Sequence, residues 1–207
     1  LLAVLEADPQ APTTVRQGTS ALDTHIADSL VALELDFVRA ARRIADLGAG
    51  AGFPGIVLAI ALPTSTVRLV ESQARKCAFM HTVLEGAGVV NAQVINARSE
   101  EWQQGAEAHD LITARAVGSQ EVVLEYAAPL MAPSGRLVDW RGRRDRAGEA
   151  IATAAAGELG LARLDIRSVE PFAGARDLHL HLFAKVAATP ARFPRRTGLA
   201  RKRPLGR

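Results

Sequence analysis

A single cysteine, Cys77, stands among 207 residues, so the chain can form neither an intramolecular disulfide nor a cysteine-based metal site. No stretch approaches the roughly eighteen uncharged apolar residues of a membrane-spanning helix, and no basic-then-apolar leader marks a secretory signal. A reducing cytoplasm fits both absences. The chain begins at Leu1 and not at Met, and a further N-terminal piece is expected ahead of it. No internal repeat of fixed period is found. The order of residues also shows no Ser-His-Asp or Cys-His constellation for nucleophilic catalysis.

Acids are missing from residues 189–207, which carry Arg192, Arg195, Arg196, Arg201, Lys202, Arg203 and Arg207. That tail holds seven positive charges while the whole chain is only +3, so the rest is mildly acidic. Pro190, Pro194, Gly198, Pro204 and Gly206 break any regular helix, and the tail reads as flexible and extended. Such a polycation suits a phosphate backbone, each cation displacing condensed counterions. Cutting after Ala188 is then expected to weaken RNA binding and leave cofactor binding intact. A solubilising disordered terminus is the plainer alternative.

What is present is a chain with 48% hydrophobic residues, enough for a packed core. Residues 1–40 read as a helical extension, with Leu22, Ile26, Leu30 and Leu33 on one stripe and Thr19 or Ser20 as cap. Short apolar runs follow at Arg43–Leu47, Val67–Glu71, Ala92–Ala97, Asp110–Ala114, Arg136–Trp140, Leu164–Val169 and His179–Val186. Helical patterns separate them at Pro54–Leu62, Gln73–Ala87, Ser119–Met131 and Ala147–Gly160, with a short Glu-rich segment at 99–108. This alternation predicts an α/β domain over 41–188 with a seven-stranded, mostly parallel sheet. The last two runs are joined too tightly for a crossover helix and predict an antiparallel hairpin at one side.

The strongest local signal is Asp46-Leu47-Gly48-Ala49-Gly50-Ala51-Gly52-Phe53-Pro54-Gly55, answered by Glu71. Four glycines in eight residues let the backbone turn sharply and lie against a ligand. An acid at the end of the next strand is placed to accept both hydroxyls of a ribose. Gly50 to Gly55 also satisfies the G-x-G-x-x-G spacing of a dinucleotide site, so an NAD-linked oxidoreductase is one reading. Asp46 argues against it, because a carboxylate repels a pyrophosphate and suits the positive sulfonium of S-adenosylmethionine. Pro54 removes an amide donor where a pyrophosphate would need one.

Two further segments fall at strand ends in the same crevice. Asn96 to Trp102 follows the third strand and is placed to meet an adenine, and Thr113-Ala114-Arg115 ends the fourth with Arg115 pointing toward the ligand or pairing with an acid. His25 and Asp28, three residues apart, could form a catalytic pair, but a histidine beside an apolar stripe more often packs or caps. His179 and His181 alternate on the last strand with no metal-ligating companions. Cys77 belongs in the core.

The ordered series HIADSL, DLGAGAGFPG, RLVES, ARSEEW, ITARAV, PLMAPSGRLVDWRG and TPARFPRRTG, from about Leu22 to Arg196, resembles the glucose-inhibited-division B type methyltransferases. Those bacterial enzymes methylate N7 of a guanine in the 530 loop of small-subunit ribosomal RNA. The resemblance implies a class I S-adenosylmethionine-dependent methyltransferase fold, Rossmann-like, over 41–188, with the last strand antiparallel. It also implies cofactor contacts from Gly48, Phe53, Ser99, Glu100 and Arg115, to which the turn itself adds Asp46, Gly50 and Glu71. The expected partner is small-subunit ribosomal RNA, free or as ribonucleoprotein, gripped by the tail cations and Arg141; no membrane is involved and the chain acts as a monomer. The family's Asn-Leu-Thr element is here Ala11 to Val15, and its Lys-Gly after the fifth strand is Arg141-Gly142. Arg75 and Lys76 match the family's basic helix, which is expected either to face RNA or to be a solvated basic face. A noncatalytic RNA-binding or ribosome assembly factor that senses S-adenosylmethionine is the alternative from another class.

Overall fold

The computed structural model describes residues 2–7, 11–13 and 18–206. Leu1, Thr14, Val15, the Thr19 side chain and Arg207, which entered the sequence reading, lie outside the described residues. Seven strands form one sheet: β1 Arg43–Leu47, β2 Thr66–Glu71, β3 Ala92–Asn96, β4 His109–Arg115, β5 Met131–Arg141, β6 Leu161–Val169 and β7 Leu178–Lys185. Their order is β3-β2-β1-β4-β5-β7-β6, with β7 antiparallel to both neighbours and the other pairings parallel. The chain reverses direction between β1 and β4, and that switch point opens a crevice at the carboxyl ends of the strands. This is the class I, Rossmann-like arrangement expected of the run pattern.

Each sheet face carries its own core because the central strands are apolar on both sides. One face packs the helices Gly55–Ala61 and Ala74–Gly86 through Ile56, Leu58, Met80 and Val83. The other packs Gln120–Ala127 and Arg146–Glu158 through Leu124, Ala152 and Ala155. Alanines at Ala152, Ala155 and Ala156 let the latter helix lie close to the sheet, and Asp145 caps its start by accepting from the Ala147 amide (3.1 Å). Each fully buried aliphatic side chain contributes about 1.5–3 kcal/mol.

Three elements differ from their sequence reading, of which β6 simply begins at Leu161 and not Leu164. β5 begins at Met131, not Arg136, because Pro133-Ser134-Gly135 forms a bulge inside the strand, where the β4–β5 register shifts and Ser134 takes φ +63°. The N-terminal region is no continuous helix. It runs as a π-helical turn at Leu22–Ala27, then Asp28–Leu30, a 3₁₀ turn at Val31–Glu34 and Asp36–Arg39. Ile26, Leu30 and Leu33 of the apolar stripe pack on the core, while Leu22 stays exposed.

The largest correction concerns the tail. Residues 189–206 are folded back onto the body instead of extending from it, with Phe193 and Ala200 buried in the second core and a helical turn at Leu199–Lys202. Arg195 makes a two-pronged ion pair to Glu125, whose side chain is 2% exposed. Composition pointed to a solvated polycation, but one aromatic, one alanine and one acid waiting on the helix Gln120–Ala127 were enough to dock it.

Candidate active site

The glycine turn is shaped by close approach. Gly48, at φ +62°, faces Val117, and a Cβ there would come within 2.9 Å of that side chain. Gly55 opens the following helix so close to β1 and β2 that a Cβ would lie 2.8 Å from the Asp46 carboxylate and 2.4 Å from Leu69. That closeness is used: Asp46, fully buried, accepts from the Gly55 amide (3.0 Å) with one oxygen and from the Thr113 hydroxyl (2.8 Å) with the other. Asp46 therefore braces β1, β4 and the helix, and both carboxylate oxygens are occupied within the protein. Asp46 does not line the cavity that opens above the turn.

Burial pushes the Asp46 carboxyl from 3.8 up to about 6, against the Thr113 and Gly55 hydrogen bonds and the Arg115 charge, which lower it. A carboxyl raised in the folded state stabilises the fold fully below its unfolded value, and that stability is lost as pH rises through the folded value. Asparagine can accept from the Gly55 amide with its Oδ1 and donate its Nδ2 to the Thr113 hydroxyl, without a charge. We expect Asp46→Asn to gain about 3 kcal/mol relative to wild type between about pH 4 and about pH 7, read by denaturant unfolding. A difference independent of pH would show that this carboxyl does not titrate in that window.

A cavity of about 310 Å³ opens above the turn, bounded by Gly48, Glu71, Ser99 and Glu100 of the sequence-derived set. Lys76, Tyr126 and Arg201 complete its rim. Glu71, 5% exposed, accepts from the amides of Gly50 (3.2 Å) and Gln73 (2.8 Å), which aims its carboxylate along the cavity floor. Lys76 lies 3.9 Å from it. Gly50 thus acts on the pocket through Glu71. Glu100 accepts from the Gly198 amide (3.1 Å), and Arg201 donates to the Val117 carbonyl (2.9 Å), so the docked tail forms one side of the cavity. Tyr126 and Arg201 were not legible as cavity residues, since both depend on how distant segments pack.

Phe53 and Arg115 are gathered elsewhere. Phe53 is buried and stacks on His25 at 4.3 Å between ring centroids with planes 6° apart. Arg115 lies 5.7 Å from the Phe53 centroid and donates to Asp28 Oδ2 (2.7 Å) and the Thr24 carbonyl (2.9 Å) at the widened π turn. His25 also contacts the Thr13 hydroxyl at 3.0 Å, so His25 and Asp28 dock the N-terminal helices, as the packing alternative had it. A second cavity of about 290 Å³ adjoins the first through Ala116 and is lined by Asp28, Arg115, Trp140, Arg141, Leu178 and His179, among others. The Trp140 indole donates to the Asp28 carbonyl (2.9 Å), fixing its ring as a wall.

Most cations assigned to RNA are placed differently from one another. Arg192, Arg196, Arg201, Lys202 and Arg203 are exposed, though Arg192 also lies over the Phe193 ring and 3.7 Å from Glu158. Arg195 is consumed by Glu125. Arg141 points largely inward, donating to Asp139 (2.7 Å) and the Gly118 carbonyl (2.8 Å), because Asp139 is buried beside it and needs a partner. Among the described residues no group of three His, Cys, Asp or Glu is gathered to hold a metal ion, and no helix is long and apolar enough to cross a membrane.

Similarity to known proteins agrees with this architecture. Residues 12–170 match the model of the family described as GidB, rRNA small subunit methyltransferase G. A protein named ribosomal RNA small subunit methyltransferase G from Chloroflexus aggregans is 35% identical, over 93% of this chain and 82% of its own length. Its namesake from Syntrophomonas wolfei is 36% identical over 89% and 86%. A solved S-adenosylmethionine-dependent methyltransferase from Aquifex aeolicus superposes with a TM-score of 0.64 over 90% of this chain and 97% of its own, at 16% identity, a likeness of fold. With the family match spanning most of the sheet and the relatives spanning nearly the whole chain, this protein belongs to the GidB family of small-subunit ribosomal RNA methyltransferases.

Proposed function

We propose that this chain transfers the methyl group of S-adenosylmethionine to N7 of a guanine in the 530 loop of small-subunit ribosomal RNA. The observation that carries the reading is the pairing of two cavities. One has a glycine turn and a buried acid, and it shares Ala116 with a second that is walled by an indole. Gly48, Glu71, Ser99 and Glu100 would hold the cofactor, Glu71 taking the ribose hydroxyls. Bound there, S-adenosylmethionine supplies an electrophilic methyl group. The cavity walled by Trp140 would receive the guanine, in stacking contact with the indole.

The turn does not suit NAD. The amides of Ala49, Gly50, Gly52, Gly55 and Ile56 already donate within the protein, to Val70, Glu71, Ala49, Asp46 and Gly52 respectively. A pyrophosphate would find these donors spent and a carboxylate beside them.

Guanine N7 carries a lone pair and no proton, so the chain has no proton to remove from the reacting atom. Its task is placement, which is worth up to roughly 7–11 kcal/mol of barrier. Arg115 sits beside the base cavity with its charge already answered by Asp28, so it orients without opposing the positive charge that develops on the ring. N7 lies in the deep groove of A-form RNA, and the target base must be exposed in a loop. The exposed cations Arg196, Lys202 and Arg203 would meet the RNA backbone.

A loop fragment carrying 7-deazaguanine at the target tests the reacting atom. Replacement of N7 by a C–H is expected to abolish label transfer while leaving RNA binding within about tenfold, since a single neutral hydrogen bond is the most that is lost. Undiminished transfer would exclude N7.

A further inference from the structure

Asp28 is held at three points and left idle at a fourth. Its backbone amide donates to the Asp23 carbonyl across the widened π turn, its carbonyl accepts from the Trp140 indole (2.9 Å), and its Oδ2 accepts from Arg115 (2.7 Å). Oδ1 makes no hydrogen bond or ion pair among the described residues. The side chain is 11% exposed, and Oδ1, unlike the equally unpaired Arg141 Nη2, is not closed off from water. Asp28 lines the cavity walled by Trp140 and not the one above the glycine turn. A charged acceptor is thus fixed in place before any ligand arrives.

The other polar groups of that cavity are largely committed. The Trp140 indole is spent on Asp28, Arg141 on Asp139 and the Gly118 carbonyl, and His179 Nδ1 on the Gly142 carbonyl (3.0 Å). A carbonyl can only accept, so His179 donates there and keeps Nε2 alone for a ligand. Asp28 is the one acid among the described residues lining the cavity.

An extruded base is read on its Watson–Crick edge. Guanine presents donors there, N1–H and the 2-amino group, whereas adenine has a lone pair at N1. A carboxylate oxygen attracts the first and repels the second. With N7 turned toward Ala116, where the two cavities meet, this edge lies on the far side of the ring and is free to meet a wall that the cofactor does not share. Methyl transfer puts a positive charge on the ring and makes N1–H a stronger donor, so the contact tightens as the reaction proceeds.

We infer that Asp28 selects guanine as the target base, its Oδ1 accepting from N1–H while Oδ2 stays with Arg115. The inference rests on the N7-guanine methyltransferase reading and adds to it the group that tells guanine from adenine. His25 and Asp28, neighbours in sequence, part company here: His25 stacks on Phe53, and Asp28 turns to the base.

The test compares kcat/KM for loop fragments carrying guanine, hypoxanthine or 2,6-diaminopurine at the target, all of which keep N7. Hypoxanthine retains N1–H and lacks the 2-amino group; diaminopurine retains the amino group and has a lone pair at N1. Wild type should use hypoxanthine within about tenfold of guanine and diaminopurine about 100-fold less well. In Asp28→Asn, Oδ1 can accept from Arg115 and Nδ2 takes the place of the idle oxygen, so a donor faces the base. The guanine-to-diaminopurine ratio should then fall by about tenfold or more. A residue that merely docks the N-terminal helices would lower transfer to every base alike and leave the ratio where it was. S-adenosylmethionine affinity reports folding of each variant, and the wild-type series decides by itself should Asp28→Asn fail to fold. An unchanged ratio in Asp28→Asn, wild type using diaminopurine as well as hypoxanthine, or a ratio that collapses in His179→Leu and not in Asp28→Asn would overturn the assignment. Failure of the wild type to methylate the guanine fragment and the intact subunit would instead remove the reading beneath it.

Discussion

Glu71→Ala is expected to weaken S-adenosylmethionine binding about 100-fold, measured by titration calorimetry. The carboxylate is aimed by the Gly50 and Gln73 amides, one on each oxygen; Oε1 also accepts from the Ser72 hydroxyl at the long distance of 3.4 Å, a contact that a ribose hydroxyl would replace. Hydrogen bonds to a charged acceptor are worth about 1.5–3 kcal/mol each, so losing two accounts for a factor of this size. The substitution also strands the Gly50 amide, loosening the turn that carries Gly48. Glu71→Gln keeps one acceptor and is expected to lose about tenfold. Affinity within about threefold of wild type in Glu71→Ala would place the ribose elsewhere.

Cutting the chain after Ala188 is expected to lower Tm by more than about 10 °C and to weaken cofactor binding, contrary to what the charge of this segment alone suggests. Removing Arg195 leaves Glu125 buried without its partner, a loss of about 3–5 kcal/mol for a broken buried pair. Withdrawing Phe193 from the second core adds about 2 kcal/mol. Each kcal/mol corresponds to roughly 2–4 °C for a domain of this size. The cut also removes Gly198 from Glu100 and Arg201 from the rim of the cavity above the glycine turn, the proposed cofactor site. The double variant Arg195→Met with Glu125→Leu separates the charge effect, since two apolar residues leave no stranded ion; it should recover most of the loss caused by Arg195→Met alone. If the truncated chain melted with wild type and bound cofactor equally well, the docked tail would have no energetic weight.

The fold was legible because its signals are local and periodic. The apolar runs at Arg43–Leu47 and Val67–Glu71 match β1 and β2 to within a residue, and the tight link before His179 correctly announced the antiparallel hairpin. At the site, the glycines and Glu71 were legible for the same reason: strand, turn and strand end are neighbours in sequence. What could not be read was the second partner of each group. Asp46 looked free to face a sulfonium because nothing in the sequence says that Thr113, on a strand paired in parallel with β1, donates to it. The tail looked solvated because its partner acid, Glu125, lies seventy residues upstream on an apolar helix. Arg141 looked like a surface cation until Asp139 and Gly118 were found to claim it. In each case a long-range pairing turned a charge inward, and composition carries no trace of such pairings.

The central claim is that the paired cavities carry a methyl group to ribosomal RNA. Incubating the full chain with S-adenosylmethionine labelled at its methyl group and small-subunit RNA, then mapping the product, tests it most directly. The account predicts label in one N7-methylguanine within the 530 loop, with Glu71→Ala reducing the rate at limiting cofactor. Label at another atom or nucleotide, or no transfer to either naked RNA or the intact subunit, would contradict it.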